Sequence, residues 1–282
     1  MITPRALVIA ASVPGIGGAI RTLIIAIAVS AAGTLLLGCG AATTPRTEPG
    51  ADAPHRAAPL GIPIAFSRRH VQAHATCSRL RPSPTLAYAA IVVRRTTTHG
   101  RTRTQLGPRD RNGYRTVLGV LGARIGTDCQ PLLLHVQLPG PPNGREGWID
   151  AGAVRVFPVT DRIVVNLSAR RLVAYRRGRP RLRARVAVGA PQTPTPTGRY
   201  VVDERWLLDN PNGAFGVAAL GISAHSNVLR NWLQDGPIAL HGTNEPWTIG
   251  EAASHGCIRL RNADMRRLLQ LAPAGTPVVI DG

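Results

Sequence analysis

A chain of 282 residues with 44% apolar, 17% charged and 4% aromatic side chains has room for two ordinary domains besides a leader and a linker. That composition excludes a wholly disordered chain, a coiled coil and a multi-span membrane protein, while 30 glycines and 24 prolines point to small, punctuated, β-rich domains. The net charge is +19 and all 34 basic residues are arginine. So uniform a choice reads most simply as codon bias, but the field it creates favours anionic partners.

Residues 1–38 read as an export signal. Arg21 precedes an uncharged run from Leu23 to Leu37, shorter than the roughly 20 residues of a membrane span and matched to the apolar region of a secretion signal. The ending Leu36-Leu37-Gly38-Cys39 resembles the bacterial lipobox, in which the cysteine becomes the lipid-bearing first residue. Cys39 is therefore the expected lipid attachment site, holding the protein to the outer face of the cytoplasmic membrane, where it faces the cell wall and meets no nucleic acid. An uncleaved anchor helix is the alternative, since Ala6 to Ile20 is also mostly apolar, and translation starting later than Met1 is a further possibility. Residues 39–60, rich in Ala, Thr, Pro and Arg, form a flexible tether.

Cysteines stand at 39, 77, 129 and 257. With Cys39 given to lipid, Cys77 and Cys129 are the natural disulfide pair of the first half. Cys257 is then the odd cysteine, either a partner-seeking thiol or a nucleophile.

Over residues 61–157, apolar runs from Leu86 to Val93, Arg115 to Leu121, Leu132 to Leu138 and Trp148 to Val156 alternate with Gly/Pro turns and predict a small antiparallel barrel. The run Leu132 to Leu138, the Pro/Gly-rich stretch after it and Trp148-Ile149 resemble the closing strands of bacterial SH3-like domains. Over residues 158–282, strands at Ile163 to Leu167, Leu172 to Tyr175 and Leu182 to Val188 predict a meander. Pro194-Thr195-Pro196-Thr197-Gly198 excludes helix and leads into a strand from Arg199 to Val202. Asn262 reads as the N-cap of a helix from Ala263 to Leu271 with Met265, Leu268, Leu269 and Leu271 on its apolar face. Val278 to Ile280 closes a sheet. The arginines between Arg162 and Arg185 fall on turns and alternate strand positions, as a solvated face or a wall-facing patch would.

Two segments carry chemistry. His241 ends the apolar run Ile238-Ala239-Leu240, and Cys257 lies in the loop Ser254-His255-Gly256-Cys257-Ile258-Arg259. Covalent acyl transfer needs a nucleophile, a base in reach and a group orienting the base. A histidine can take the thiol proton and return it to a leaving amine. No carboxylate adjoins either motif as an obvious orienter, and a backbone carbonyl near Gly242 could serve instead. The turn through Gly256 can aim backbone N–H groups at an oxyanion. The alternatives are a structural Cys257 with a capping His241, or a zinc site from His225, His241, His255 and Cys257, whose spacing matches no closed zinc pattern.

Thr-Pro-Thr-Gly (195–198), Ile-Ala-Leu-His-Gly-Thr (238–243) and Ser-His-Gly-Cys-Ile-Arg-Leu (254–260), in that order, resemble the L,D-transpeptidase (YkuD-like) catalytic domain across about residues 160–282. The resemblance implies a mainly β protein, in which an SH3-like barrel precedes a β-rich catalytic domain with one or two helices. It implies action on peptidoglycan stem peptides with no metal or organic cofactor, and covalent inhibition by carbapenem-type β-lactams. It makes Cys257 the nucleophile, His241 the base and the Gly242 carbonyl its orienter. Ser254, His255 and Gly256 become the oxyanion loop, and Arg259 holds that loop or a substrate carboxylate. The implied reaction forms 3→3 cross-links through a cysteine acyl-enzyme. Rivals are an L,D-carboxypeptidase or protein-to-wall attachment enzyme of the same fold, and a wall-binding lipoprotein whose thiol is idle.

Overall fold

The computed structural model describes residue 80 and residues 82–100, 103–231 and 235–282. The export signal, the tether, Cys39 and Cys77 lie outside the described residues. Cys129 is disulfide-bonded.

The first half supplies β1 (Ala87–Val92), β2 (Thr96–Thr97), β3 (Gln105–Leu106), β4 (Val117–Ile125), β5 (Pro131–Gln137), β6 (Glu146–Asp150) and β7 (Val154–Val159). Five of these form an antiparallel sheet in the order β6-β5-β4-β1-β7, and β2 pairs with β3. The short apolar run of β1, between β4 and β7, is buried on both faces. Ala90 and Val92 share a core with Leu118, Val120, Leu134, Val136 and Ile149. Ala89 and Ile91 instead meet Val117, Val159 and Ala274, which belongs to the C-terminal half. The strand expected from Trp148 to Val156 is two strands, because a 3₁₀ turn at Ala151–Ala153 interrupts it. That turn is tied to the end of β1: Arg94 Nη2 donates to the Gly152 carbonyl at 2.6 Å, and the Val93 and Arg94 N–H groups donate to Ala153.

The second half supplies β8 (Asp161–Asn166), β9 (Arg171–Arg176), β10 (Arg179–Arg185), β11 (Val188–Gly189), β12 (Gly198–Leu207), β13 (Ala218–His225), β14 (Pro237–His241), β15 (Ala252–Ser254), β16 (Ile258–Arg259), helix α1 (Asn262–Leu271) and β17 (Pro277–Asp281). Eight strands form a mixed sheet ordered β10-β9-β8-β17-β12-β13-β14-β16. The predicted meander is its first three strands. Helix α1 packs against β13 towards one end of this order and against β9 and β10 at the other, which only a curled sheet allows. Met265, Leu268 and Leu269 point from α1 into the core, the i, i+3, i+4 stripe expected of it. Fully burying each is worth about 1.5–3 kcal/mol.

Asn262 does not cap α1 with its side chain. It is the first helical residue, and its Oδ1 accepts a hydrogen bond from the Thr243 N–H at 3.0 Å, on the strand end that carries His241. The helix start is thus spent on holding a loop.

The two sheets belong to the same compact unit. Gln137 Nε2 donates to the Arg199 carbonyl at 2.9 Å, and Asn143 bonds both the N–H and the carbonyl of His225. Trp206 Nε1 donates to the Tyr114 hydroxyl at 2.7 Å, with the rings edge to face.

Candidate active site

Strand β14 lies between β13, antiparallel, and β16, parallel. In the parallel register Leu240 sits beside Ile258 and His241 beside Arg259. One step back sets Cys257 beside Ala239, whose backbone hydrogen-bonds the thiol. Side chains alternate along a strand, so Ala239 and His241 share one face and Cys257 joins them there. Leu240 and Ile258, fully buried, point the other way into the core. The topology therefore brings His241 and Cys257 to one face of adjoining strands.

His241 is buried, 5% exposed. Its Nδ1 lies 2.5 Å from the Gly242 carbonyl oxygen. A carbonyl only accepts, so Nδ1 carries the proton and Nε2 presents the lone pair. Burial pushes the imidazole pKa down to about 4; the Gly242 hydrogen bond raises it, and the nearby Arg259 charge lowers it. A Cβ on Gly242 would strike Asn262 Oδ1, the acceptor of the Thr243 N–H, so a larger residue there displaces that side chain.

Cys257 is the free cysteine among the described residues. Burial raises its pKa, against the lowering effects of the Ala239 backbone and Arg259. At neutral pH the site holds a neutral thiol and a neutral imidazole.

The loop before Cys257 is stitched from within. Ser254 Oγ donates to the Cys257 carbonyl at 2.5 Å and accepts from the Gly256 N–H at 3.2 Å. The Gly256 N–H, expected to face an oxyanion, is thus engaged by Ser254. Gly256 has φ of 111°, where a side chain would be strained and its Cβ would come within 3.0 Å of Ile238. His255 lies in the same turn and lines the neighbouring cavity. Arg259 Nη1 pairs with Glu245 Oε2 at 2.6 Å, and its buried Nε has no partner among the described residues. Of the four residues weighed as zinc ligands, no group of three or more comes together as a metal site among the described residues.

Three contributors were missed by sequence reasoning. Thr195, 5% exposed, donates to the Gly256 carbonyl at 2.8 Å and accepts from the Gly189 N–H at 2.8 Å. Thr193 Oγ1 donates to the Ser254 carbonyl at 3.0 Å. The signal for Thr195 was its place in Thr-Pro-Thr-Gly, which was read as a helix breaker and as part of the family resemblance but given no role at the site. Phe215 is the third: its ring lies 4.7 Å from the His241 ring while remaining half exposed, a cover for the imidazole that no motif announces.

Beside the site is a cavity of about 1010 Å³, walled by residues of both halves, from Asp110 and Tyr114 to Phe215, Ala239 and His255. Asp203 and Glu204 line it with pKa values pushed up to about 7 and about 8, chiefly by burial. Asn112 donates to Glu204 Oε1 at 2.8 Å, while the buried Oε2 has no partner among the described residues.

A curled mixed sheet that presents a buried, tautomer-fixed histidine beside a strand-edge cysteine defines a site able to move a proton between a thiol and a bound substrate. The family model for the L,D-transpeptidase catalytic domain, YkuD, matches residues 160–280. The chain is 35% identical over 150 residues to the L,D-transpeptidase YkuD of Bacillus licheniformis, covering 51% of this chain and 83% of that protein. It is 34% identical over 125 residues to the YkuD of Bacillus subtilis, covering 44% of this chain and 68% of that protein. A solved L,D-transpeptidase of Enterococcus faecium is 23% identical with a TM-score of 0.33, over 43% of this chain and 50% of that one, so the chain spans half that protein's length. This chain belongs to the L,D-transpeptidase family.

Proposed function

We propose that this protein is a peptidoglycan L,D-transpeptidase that works through a Cys257 thioester, with His241 as base and the Gly242 carbonyl as its orienter. The observation that carries the assignment is the short Nδ1–carbonyl contact, which fixes Nε2 as the basic nitrogen on the face shared with Cys257. Nε2 takes the thiol proton as sulfur attacks the carbonyl of the third stem residue, a diamino acid. With the Gly256 N–H engaged by Ser254, the Cys257 N–H at the end of the turn is the donor that steadies the oxyanion. The imidazolium then protonates the departing amine of the terminal D-alanine, leaving a thioester. A side-chain amine of a second stem attacks the thioester, gives its proton to Nε2 and restores the thiol, closing a 3→3 cross-link. Arg259, held by Glu245, fixes the loop beside the sulfur.

The N-terminal sheet is the SH3-like domain of this reading, supported by its five short antiparallel strands. Cys77 is the partner of Cys129, and Cys39 carries the lipid that holds the enzyme outside the cytoplasmic membrane.

Incubation of the purified protein with a carbapenem tests the site, because a strained lactam carbonyl presents the same electrophile as the stem-peptide amide. Intact-protein mass spectrometry is expected to show one acyl group, mapped to Cys257 and lost in Cys257→Ala. Mass spectrometry of stem peptides then reads the acceptor: cross-linked dimers support the transpeptidase, whereas D-alanine release without dimers assigns water as the acceptor.

A further inference from the structure

Two peptide groups follow His241 where β14 runs out into the next loop, and each is held at both ends. In the first, the His241 carbonyl accepts from the Leu260 N–H at 2.8 Å and the Gly242 N–H donates to the Ala218 carbonyl at 3.0 Å. In the second, the Gly242 carbonyl faces His241 Nδ1 at 2.5 Å and the Thr243 N–H donates to Asn262 Oδ1 at 3.0 Å. The Gly242 carbonyl and the Thr243 N–H belong to one planar unit, whose C=O and N–H point in opposite directions. Whatever grips that N–H therefore sets where the carbonyl points. Backbone holds the first peptide; a side chain holds the second.

Asn262 is well placed for this task. It opens helix α1, which Met265 and Leu268 anchor in the core, both fully buried. Its amide fits only one way round: the Thr243 N–H needs an oxygen, and on the other side Nδ2 donates to the Pro211 carbonyl at 3.4 Å. Oδ1 fills a nook kept open by two glycines, since a Cβ on Gly216 or on Gly242 would collide with it. Pro211 and Phe215 lie in the same loop between β12 and β13, and the Phe215 ring covers that of His241. A residue needed only to start the helix would turn its side chain onto the first turn. Asn262 directs both ends of its amide to the strand end and loop beside His241 instead.

We propose that Asn262 is a positioning residue for the base: its grip on the Thr243 N–H aims the Gly242 carbonyl, which holds the proton on His241 Nδ1 and leaves Nε2 bare. The proposal rests on His241 being the base of the transpeptidase reading. The hydrogen bonds run in series from Nδ1–H through the Gly242–Thr243 peptide to Asn262, and each polarises the next. Without Asn262 the Thr243 N–H, on a residue 3% exposed, loses its partner. A buried N–H must be paired, so the peptide turns to find another acceptor and carries the carbonyl away from Nδ1.

The test reads tautomer and chemistry separately. In the full chain labelled with ¹⁵N-histidine, the His241 ring signals are those lost in His241→Gln. At neutral pH the wild type is expected to show Nδ1 protonated and Nε2 bare, and Asn262→Ala to show both tautomers. A base in the wrong tautomer costs a serine–histidine triad about 10⁴-fold, so a mixture is expected to slow maximal acylation by a carbapenem about 10- to 100-fold. The carbapenem concentration at half-maximal rate is expected to change little. Asn262→Ser, too short to reach Thr243, should repeat both effects. Asn262→Asp keeps an oxygen in place and should restore the tautomer and most of the rate. Leu269→Ala loosens the same helix without touching the peptide, and is expected to lower Tm but leave the tautomer and the rate of the folded protein unchanged. The proposal is overturned by a single Nδ1–H tautomer and a wild-type rate in Asn262→Ala, by equal slowing in Leu269→Ala, or by no rescue with aspartate. A wild type that is not acylated at all refutes the transpeptidase reading instead, and the tautomer comparison still decides the role of Asn262.

Discussion

Replacing Thr195 by valine keeps its shape and removes one oxygen. That oxygen serves two backbone groups at once, donating to the Gly256 carbonyl and accepting from the Gly189 N–H, both at 2.8 Å in a nearly sealed position. The variant leaves a donor and an acceptor unpaired, each costing about 1–3 kcal/mol when buried. Relaxation recovers part of this, so about 2–4 kcal/mol of stability should be lost. For a protein of this size that is a fall in Tm of about 4–16 °C, at about 2–4 °C per kcal/mol. Thr195→Ser keeps the hydroxyl and loses one methyl, worth about 0.8 kcal/mol. Because Gly256 adjoins Cys257, the valine variant should also be acylated by a carbapenem at least tenfold more slowly at a temperature where it remains folded, and the serine variant at close to the wild-type rate. Urea unfolding and the rate of acyl-adduct formation measure the two effects. If valine and serine variants match in both assays, the bridging hydroxyl does not hold the loop and the reasoning fails.

The carbapenem acylation rate should stay level through neutral pH and fall by half only near pH 4, where His241 gains a proton; a midpoint above pH 6 in a stopped-flow profile would refute the buried neutral base. Asp203 and Glu204 have pKa values raised to about 7 and about 8, so the native state holds protons that the unfolded state has released above about pH 4.5. Their contribution to stability therefore declines as pH rises to about 8, by up to about 1.4 kcal/mol per unit for each carboxyl; Asp203→Asn should flatten the pH dependence seen in denaturation midpoints. Gly242→Ala should slow acylation at least about 100-fold, since about 2.7 kcal/mol at the barrier suffices, and a wild-type rate would show that the Asn262 contact yields without moving the Gly242 carbonyl.

The fold was legible wherever one physical signal dominated. The strands Leu86 to Val93 and Ile163 to Leu167 are short apolar runs between turn residues, and each is a strand within a residue or two. Helix α1 was legible from its stripe of Met265, Leu268 and Leu269. The break at Ala151–Ala153 was not, because it is imposed by Arg94 and Val93, far away in sequence. Asn262 misled for a related reason: its side chain satisfies a local cap or a distant N–H equally well, and tertiary contact with Thr243 decides. At the site, His241 and Cys257 were named because acyl transfer demands those side-chain types. Thr193, Thr195 and Phe215 were missed because they act by position, which only the folded chain displays.

Burial at this site works against both ionised forms, raising the Cys257 pKa and lowering that of His241. A resting thiolate–imidazolium pair would have to overcome both effects, so the neutral pair is the ground state that the environment favours. Sulfur must then lose its proton as it attacks, and the base must already be aimed. The Gly242 carbonyl supplies that aim, since it fixes Nδ1–H and leaves Nε2 no alternative tautomer. Arg259 acts in the same direction on both groups: its charge lowers the thiol pKa and the imidazole pKa. It therefore eases negative charge onto sulfur while resisting a long-lived imidazolium, which suits a histidine that must pass its proton on to a leaving amine. Glu245, paired with Arg259 at 2.6 Å, tempers that field and fixes its direction. Catalysis in this arrangement depends less on a reactive resting thiol than on a proton path set in advance by the backbone of β14 and the loop that Thr195 holds.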